Sequence, residues 1–248
     1  MKTAPAAALA ALLCAACSSA PAPATEHLTV FAAASLKSTF TDLGARFEKD
    51  NPGTTVAFNF AGSSDLVTQL TQGAPADVFA SADQATMAKA VDGGLVSGNP
   101  VTFATNTLTI VTPPGNPDRI ATFADLARPG VQVVVCAPQV PCGAATEKLE
   151  KAANVALSPV SEESSVTDVL GKITSGQADA GLVYVTDAAS AGEKVAAIAF
   201  PESRQAVNRY PIAILEQTRS RSAAQRFVDL VTGPQGRGVL TAAGFAEP

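Results

Sequence analysis

The spacing of apolar and polar positions changes in a repeated order along this chain. Residues 28–32 (Leu-Thr-Val-Phe-Ala) form a short, mostly apolar run of the kind a buried strand carries. From residue 36 the apolar positions recur every three to four residues. That spacing predicts an amphipathic helix over 36–50, which stops at the turn signal Asn51-Pro52-Gly53. The same reading predicts a strand over 55–60, a helix over 64–72, a strand over 77–81 and a helix over 83–91. An order of this kind builds a mostly parallel sheet with helices on both faces, joined by right-handed crossovers.

The rhythm breaks at residues 101–112, which are β-prone throughout and too long for one ordinary strand. A second series follows: helix 122–127, strand 131–136, helices 143–153 and 165–175, strand 180–185, helix 186–191 and strand 195–200. Residues 207–216 form a second long extended stretch, and helices over 220–232 and 234–243 close the chain. Two α/β series joined by two extended crossings predict a hinged, two-lobed clamshell with a cleft between the lobes. The predicted division places 27–105 plus 212–248 in lobe 1 and 106–211 in lobe 2.

Composition narrows what such a cleft can do. At 248 residues and 47% hydrophobic, the chain has enough apolar mass for a real core, although it contains no tryptophan. The formal charge is −5, and no basic stripe is present to neutralise phosphates. Nucleic acid and anionic membrane surfaces are therefore not expected as partners. The one histidine, His27, precedes the first strand, which excludes multi-histidine metal sites and leaves no Ser-His-Asp arrangement to build.

The N-terminus carries Lys2, then an Ala/Leu run to Leu13, then Cys14-Ala-Ala-Cys17. A short apolar stretch after a basic residue reads as a signal peptide over 1–16. Small residues before Cys17 resemble a bacterial lipobox, with Cys14 standing where leucine is usual. The alternative is plain signal cleavage near residues 20–24. The Ala/Pro/Ser stretch over 17–26 reads as a lipidated, flexible tether. Export also favours a disulfide between Cys136 and Cys142, which flank Ala-Pro-Gln-Val-Pro. A redox or metal pair is the rival, although five intervening residues do not match C-x-x-C.

Four places put a helix start behind a strand or loop: Ser35, Ser63, Cys142-Gly143 and Ser165-Val166. A helix N-terminus offers free N–H donors and partial positive charge, so it attracts anions. Taken singly, a serine at such a start is most often only a cap. Asp42, Asp65 and Asp168 read as complements to helix dipoles. Tyr184 ends a buried strand and stands between a core and a ligand role, whereas Tyr210, in the return crossing, reads as structural. Lys37 does not complete S-x-x-K with Ser35, and Gly62-Ser63-Ser64 lacks the second glycine of G-x-S-x-G. A serine hydrolase would thus have no base.

Several stretches carry a resemblance over essentially the whole chain after the tether: Val30-Phe-Ala-Ala-Ala-Ser35-Leu, Phe60-Ala-Gly-Ser-Ser64, Gly73-Ala-Pro-Ala-Asp-Val-Phe-Ala-Ser-Ala-Asp83, Gly181-Leu-Val-Tyr184 and Tyr210-Pro-Ile-Ala-Ile. The chain resembles the molybdate-binding proteins of ABC transporters, within the type II periplasmic-binding-protein fold. The resemblance implies capture of molybdate, and of tungstate, outside the membrane and delivery to an ABC permease by a monomeric, lipid-anchored receptor. It implies two serines, two backbone amides and a tyrosine hydroxyl around the oxyanion, at Ser35, Ser63, Cys142, Val166 and Tyr184. Molybdenum would then enter only as the bound oxyanion, with no cofactor and no direct metal ligand. Ser64 in place of Ser63, and Ser165 in place of Val166, are the open alternatives. A receptor for sulfate, thiosulfate or phosphate is the alternative function; a carboxylate at the site, such as Asp65, would favour phosphate.

Overall fold

The computed structural model describes residues 25–248, so the predicted signal peptide (1–16), Cys17 and the tether as far as residue 24 lie outside the described residues. In chain order the elements are β1 (Glu26–Ala33), a 3-10 turn (Ala34–Leu36), α1 (Lys37–Asp50), β2 (Thr54–Ala61), α2 (Ser63–Thr71), β3 (Val78–Ala80), α3 (Gln84–Asp92), β4 (Val96–Asn106) and β5 (Leu108–Thr112). They continue with β6 (Val133–Cys136), α4 (Pro141–Ala153), β7 (Ser161–Glu163), α5 (Val166–Thr174), β8 (Ala180–Tyr184), α6 (Val185–Ala191), β9 (Ala196–Ile198), β10 (Asn208–Leu215), α7 (Arg221–Thr232) and α8 (Pro234–Ala242).

These strands form two five-stranded sheets, ordered β2-β1-β3-β10-β4 and β7-β6-β8-β5-β9. Each is mixed. β1 runs parallel to β2 and β3, and β6 runs parallel to β7 and β8. β10 and β5, which arrive from the other sheet, run antiparallel to both of their neighbours. The parallel expectation therefore describes the βαβ half of each sheet only. Apolar runs identify buried strands but carry no information about strand direction.

Alternation along the strands places a core on each face of the first sheet. Leu28, Val30 and Ala32 of β1 join Phe40, Leu43 and Phe47 of α1 and Phe227 of α7. Phe31, between them in sequence, points the other way, into a cluster with Leu66 and Leu70 of α2 and Met87 of α3. Phe40 is fully buried, and burying such a ring contributes ~1.5–3 kcal/mol.

The stretch over 101–112 is two strands in two sheets, β4 and β5, with Thr107 between them. The return differs from expectation. β10 is already in the first sheet at Asn208, which pairs with Asn106, so the division drawn at 211/212 falls inside β10. Glu26, assigned to the tether, opens β1 and is 3.0 Å from Arg226 of α7. The helix predicted over 122–127 is a 3-10 turn, Phe123–Ala127, held by reciprocal bonds between Thr122 and Asp125. β7 (Ser-Glu-Glu) escapes sequence reading because it is a polar edge strand with no apolar alternation.

Candidate functional site

The carboxyl ends of β1, β6 and β8 and the start of α2 meet where the two sheets face each other. Ser35, Ser63, Cys142, Val166 and Tyr184 all line one small cavity there, with Ala33, Ala34, Gly62, Ala82, Val140, Pro141, Ser164 and Ser165. The space open to a water centre is about 10 Å³. No lining residue is charged.

Three helix starts reach this cavity, and the chain shapes each differently. Ser63 is the first residue of α2, whose N-cap, Gly62, has no side chain to cap with. Pro141 and Cys142 open α4 behind Val140, again with no side-chain cap. Val166 opens α5, where Ser165 does cap: its Oγ accepts from the Asp168 amide at 3.3 Å. First-turn amides have no acceptor within their own helix, so all three starts present donors.

Ser35 departs from expectation. It lies inside the 3-10 turn that precedes α1 and makes no capping bond. The strand enters the turn directly, so the hydroxyl is free for a distant partner: Ser35 Oγ is 3.1 Å from Tyr210 Oη. The Ser63 hydroxyl accepts from the Ala82 amide at 3.0 Å. Ser64 is turned away from the cavity and donates to the Gln139 carbonyl at 2.7 Å. Asp65, beside it, is exposed and does not line the cavity.

Cys136 and Cys142 are joined in a disulfide with their Cα atoms 5.6 Å apart. The bond ties the end of β6 to the first turn of α4, which places the Cys142 amide at the cavity wall. Gly143 makes this possible: a Cβ there would overlap the Ala137 carbonyl oxygen. Across the cleft, a Cβ on Gly62 would overlap the Ser164 carbonyl oxygen, so the two sides are in close contact at the cavity rim. Asn208 adds a bridge, donating through Nδ2 to the carbonyls of Ala82 (3.0 Å) and Pro141 (3.4 Å).

Tyr184 is 1% exposed, and its hydroxyl has no hydrogen-bond partner among the described residues. Burial, with Tyr210 and the carboxyls of Asp83 and Asp187 nearby, raises its pKa well above the usual tyrosine range, so it stays protonated. A buried hydroxyl without a partner costs about 1–3 kcal/mol, so this one marks a place for an acceptor. Behind it, Asp187 of α6 accepts from the Tyr184 amide at 3.1 Å. Burial raises the Asp187 carboxyl to about 7, and that amide pulls the other way.

Sequence reading missed three members of this arrangement: Tyr210 behind Ser35, the Ala82 amide behind Ser63, and buried Asp187. Tyr210 carried a signal, since it lies in one of the motifs above. Nothing local, however, links it to a serine 175 positions away.

A two-lobed α/β protein that closes on a small, uncharged cavity walled by hydroxyls and helix starts is a solute-binding protein of the type II fold. The chain belongs to the bacterial extracellular solute-binding protein family, which it matches over residues 28–246, and within it to the ModA-like molybdate-binding proteins. It is 55% identical over 228 residues to the molybdate-binding protein ModA of Mycobacterium tuberculosis, covering 92% of this chain and 87% of that one. It is 35% identical to the molybdate-binding protein ModA of Escherichia coli, covering 88% of each. Among solved structures, the periplasmic molybdate-binding protein of Azotobacter vinelandii superposes with a TM-score of 0.78 at 25% identity, covering 89% of this chain and 99% of that one. Membership makes the chain a binding protein and not an enzyme.

Proposed function

We propose that this protein captures molybdate, and tungstate with it, outside the cell membrane and delivers it to an ABC permease. The observation that carries this reading is a cavity whose polar wall is built of neutral donors and whose lining includes Tyr184, a buried tyrosine with a hydroxyl that has no partner among the described residues. A fully deprotonated tetrahedral oxyanion has acceptors only, which suits the hydroxyls of Ser35, Ser63 and Tyr184 and the amides of Cys142 and Val166. Hydrogen bonds to a charged acceptor contribute roughly 1.5–3 kcal/mol each. Helix starts add ~0.3–1 kcal/mol each, and more where partly buried. A dianion can thus be held with no counter-ion. An anion of four oxygens needs more room than one water centre, so it enters as the two sides part and the lobes then close on it.

The phosphate alternative loses its support. A protonated phosphate needs an acceptor at the site, and Asp65 does not line the cavity. Sulfate has the same acceptor-only character and differs by size. A lipid on Cys17 would hold the protein at the outer face of the membrane, as the N-terminal sequence and the extracellular family support.

A thermal-shift panel of the purified protein with molybdate, tungstate, sulfate and phosphate tests the function, because a ligand of the folded state raises the melting temperature. Molybdate and tungstate should give the largest shifts. A shift with phosphate or sulfate alone overturns the reading.

A further inference from the structure

We propose that Tyr210 is a positioning residue for oxyanion capture: its phenol donates to Ser35 Oγ and so turns the serine's own proton toward the cavity. The inference rests on the reading of that cavity as an oxyanion site. Ser35 Oγ and Tyr210 Oη are 3.1 Å apart, and either atom can be the donor. The proton inventory decides between them. A hydroxyl has one proton and two lone pairs. If Ser35 gave its proton to Tyr210, it would turn only lone pairs toward an anion, which repels them. If Tyr210 gives its proton to Ser35, the serine proton is free for the anion, and the two bonds in series strengthen each other.

Ser63 already has this arrangement without ambiguity. The group behind it is the Ala82 amide, which can only donate, so Ser63 Oγ accepts on the protein side. The two serines are then held alike, one by an amide and one by a phenol. Tyr210 is built for the task. It is fully buried, and its ring lies against Tyr184, Phe103 and Phe245 at centroid distances of 5.8, 6.3 and 5.4 Å. Burial also raises its pKa far above the ordinary tyrosine value, so its proton is always present.

The test is a double-mutant cycle read by calorimetry with molybdate. Tyr210→Phe keeps the ring and removes the donor. Affinity should fall about 3- to 10-fold in the otherwise unchanged protein and by less than about twofold in the Ser35→Ala background. The melting temperature without molybdate should change little. Equal losses in both backgrounds, or no loss in either, overturn the proposal. If Ser35→Ala itself leaves affinity unchanged, the oxyanion reading of the cavity fails first, which is a separate outcome.

Should Tyr210→Phe not fold, the unmutated protein still decides. Its two tyrosines allow each ring Cζ carbon to be followed by NMR on labelled tyrosine. In the molybdate complex a donating phenol moves the Tyr210 Cζ resonance downfield. An upfield move marks an accepting phenol and overturns the proposal.

Discussion

The backbone amide of Ala82 donates to the hydroxyl of Ser63 across 3.0 Å, from a residue 19 positions further along the chain. Ala82 follows β3 and Ser63 opens α2, so packing of α2 on the first sheet holds the serine with its oxygen engaged and its proton free. Ser63→Ala removes the proton and leaves the Ala82 amide without its acceptor. Molybdate affinity should fall by roughly 10- to 150-fold, corresponding to one hydrogen bond to a charged group. Calorimetry on the purified protein checks this, and an unchanged affinity rules out Ser63 as a donor.

Tyr184→Phe separates binding from stability. The hydroxyl has no partner among the described residues, so removing it takes nothing from the protein's own hydrogen bonding. The melting temperature without molybdate should hold or rise. The molybdate-induced shift should shrink by an amount matching about 1.5–3 kcal/mol of lost binding. A large drop in intrinsic stability would show that the hydroxyl serves the fold instead.

Ser64 spans the cleft to Gln139, outside the cavity, at 2.7 Å. On the proposed site it would act on closure and leave the anion's own bonds untouched, since it does not line the cavity. A neutral hydrogen bond contributes about 0.5–1.5 kcal/mol, so Ser64→Ala should weaken molybdate binding only about 2- to 12-fold. Stopped-flow kinetics should place the effect in dissociation, with association little changed. A loss as large as that of Ser63→Ala would return Ser64 to the ligand shell.

Asp187 sets a pH dependence. Burial raises its folded pKa to about 7 from the ordinary carboxylate value of 3.8 that holds in the unfolded chain. The folded state then holds its proton where the unfolded state has lost it. Its contribution to stability is full below about pH 4, is lost as pH rises through about 7, and is level above that. Asp187→Asn keeps an oxygen to accept from the Tyr184 amide and has no proton to lose. Thermal melts across that range should show the variant gaining on the unmutated protein as pH rises. Parallel pH profiles would place the Asp187 titration elsewhere.

Much of this protein is legible in the order of its residues. The alternation of short apolar runs with three-to-four-residue periodicity determined the α/β class, because burial on a pleated strand and on a helix face imposes different spacings. Gly62-Ser63, Cys142-Gly143 and Ser165-Val166 announced helix starts locally, the second two residues later than the structure begins it, at Pro141. Tyr184 stood at the end of a strand too apolar to be exposed.

What the tertiary structure alone decided is which atoms face each other. The directions of β5 and β10, the turning of Ser64 toward Gln139 and of Ser63 toward the cavity, the burial of Asp187 and the seat of Tyr210 behind Ser35 all depend on partners far away in the chain. A hydrogen bond is set by ångströms and angles between side chains, and residue spacing within one element reports only on that element. Ser35 shows the limit most clearly. Its position after a strand is legible as a helix start, where a serine taken singly reads as a cap and the family resemblance makes it an oxyanion donor. The fold sets that hydroxyl beside a phenol 175 residues away and leaves it uncapped, because the strand runs into a 3-10 turn that brings it against β10.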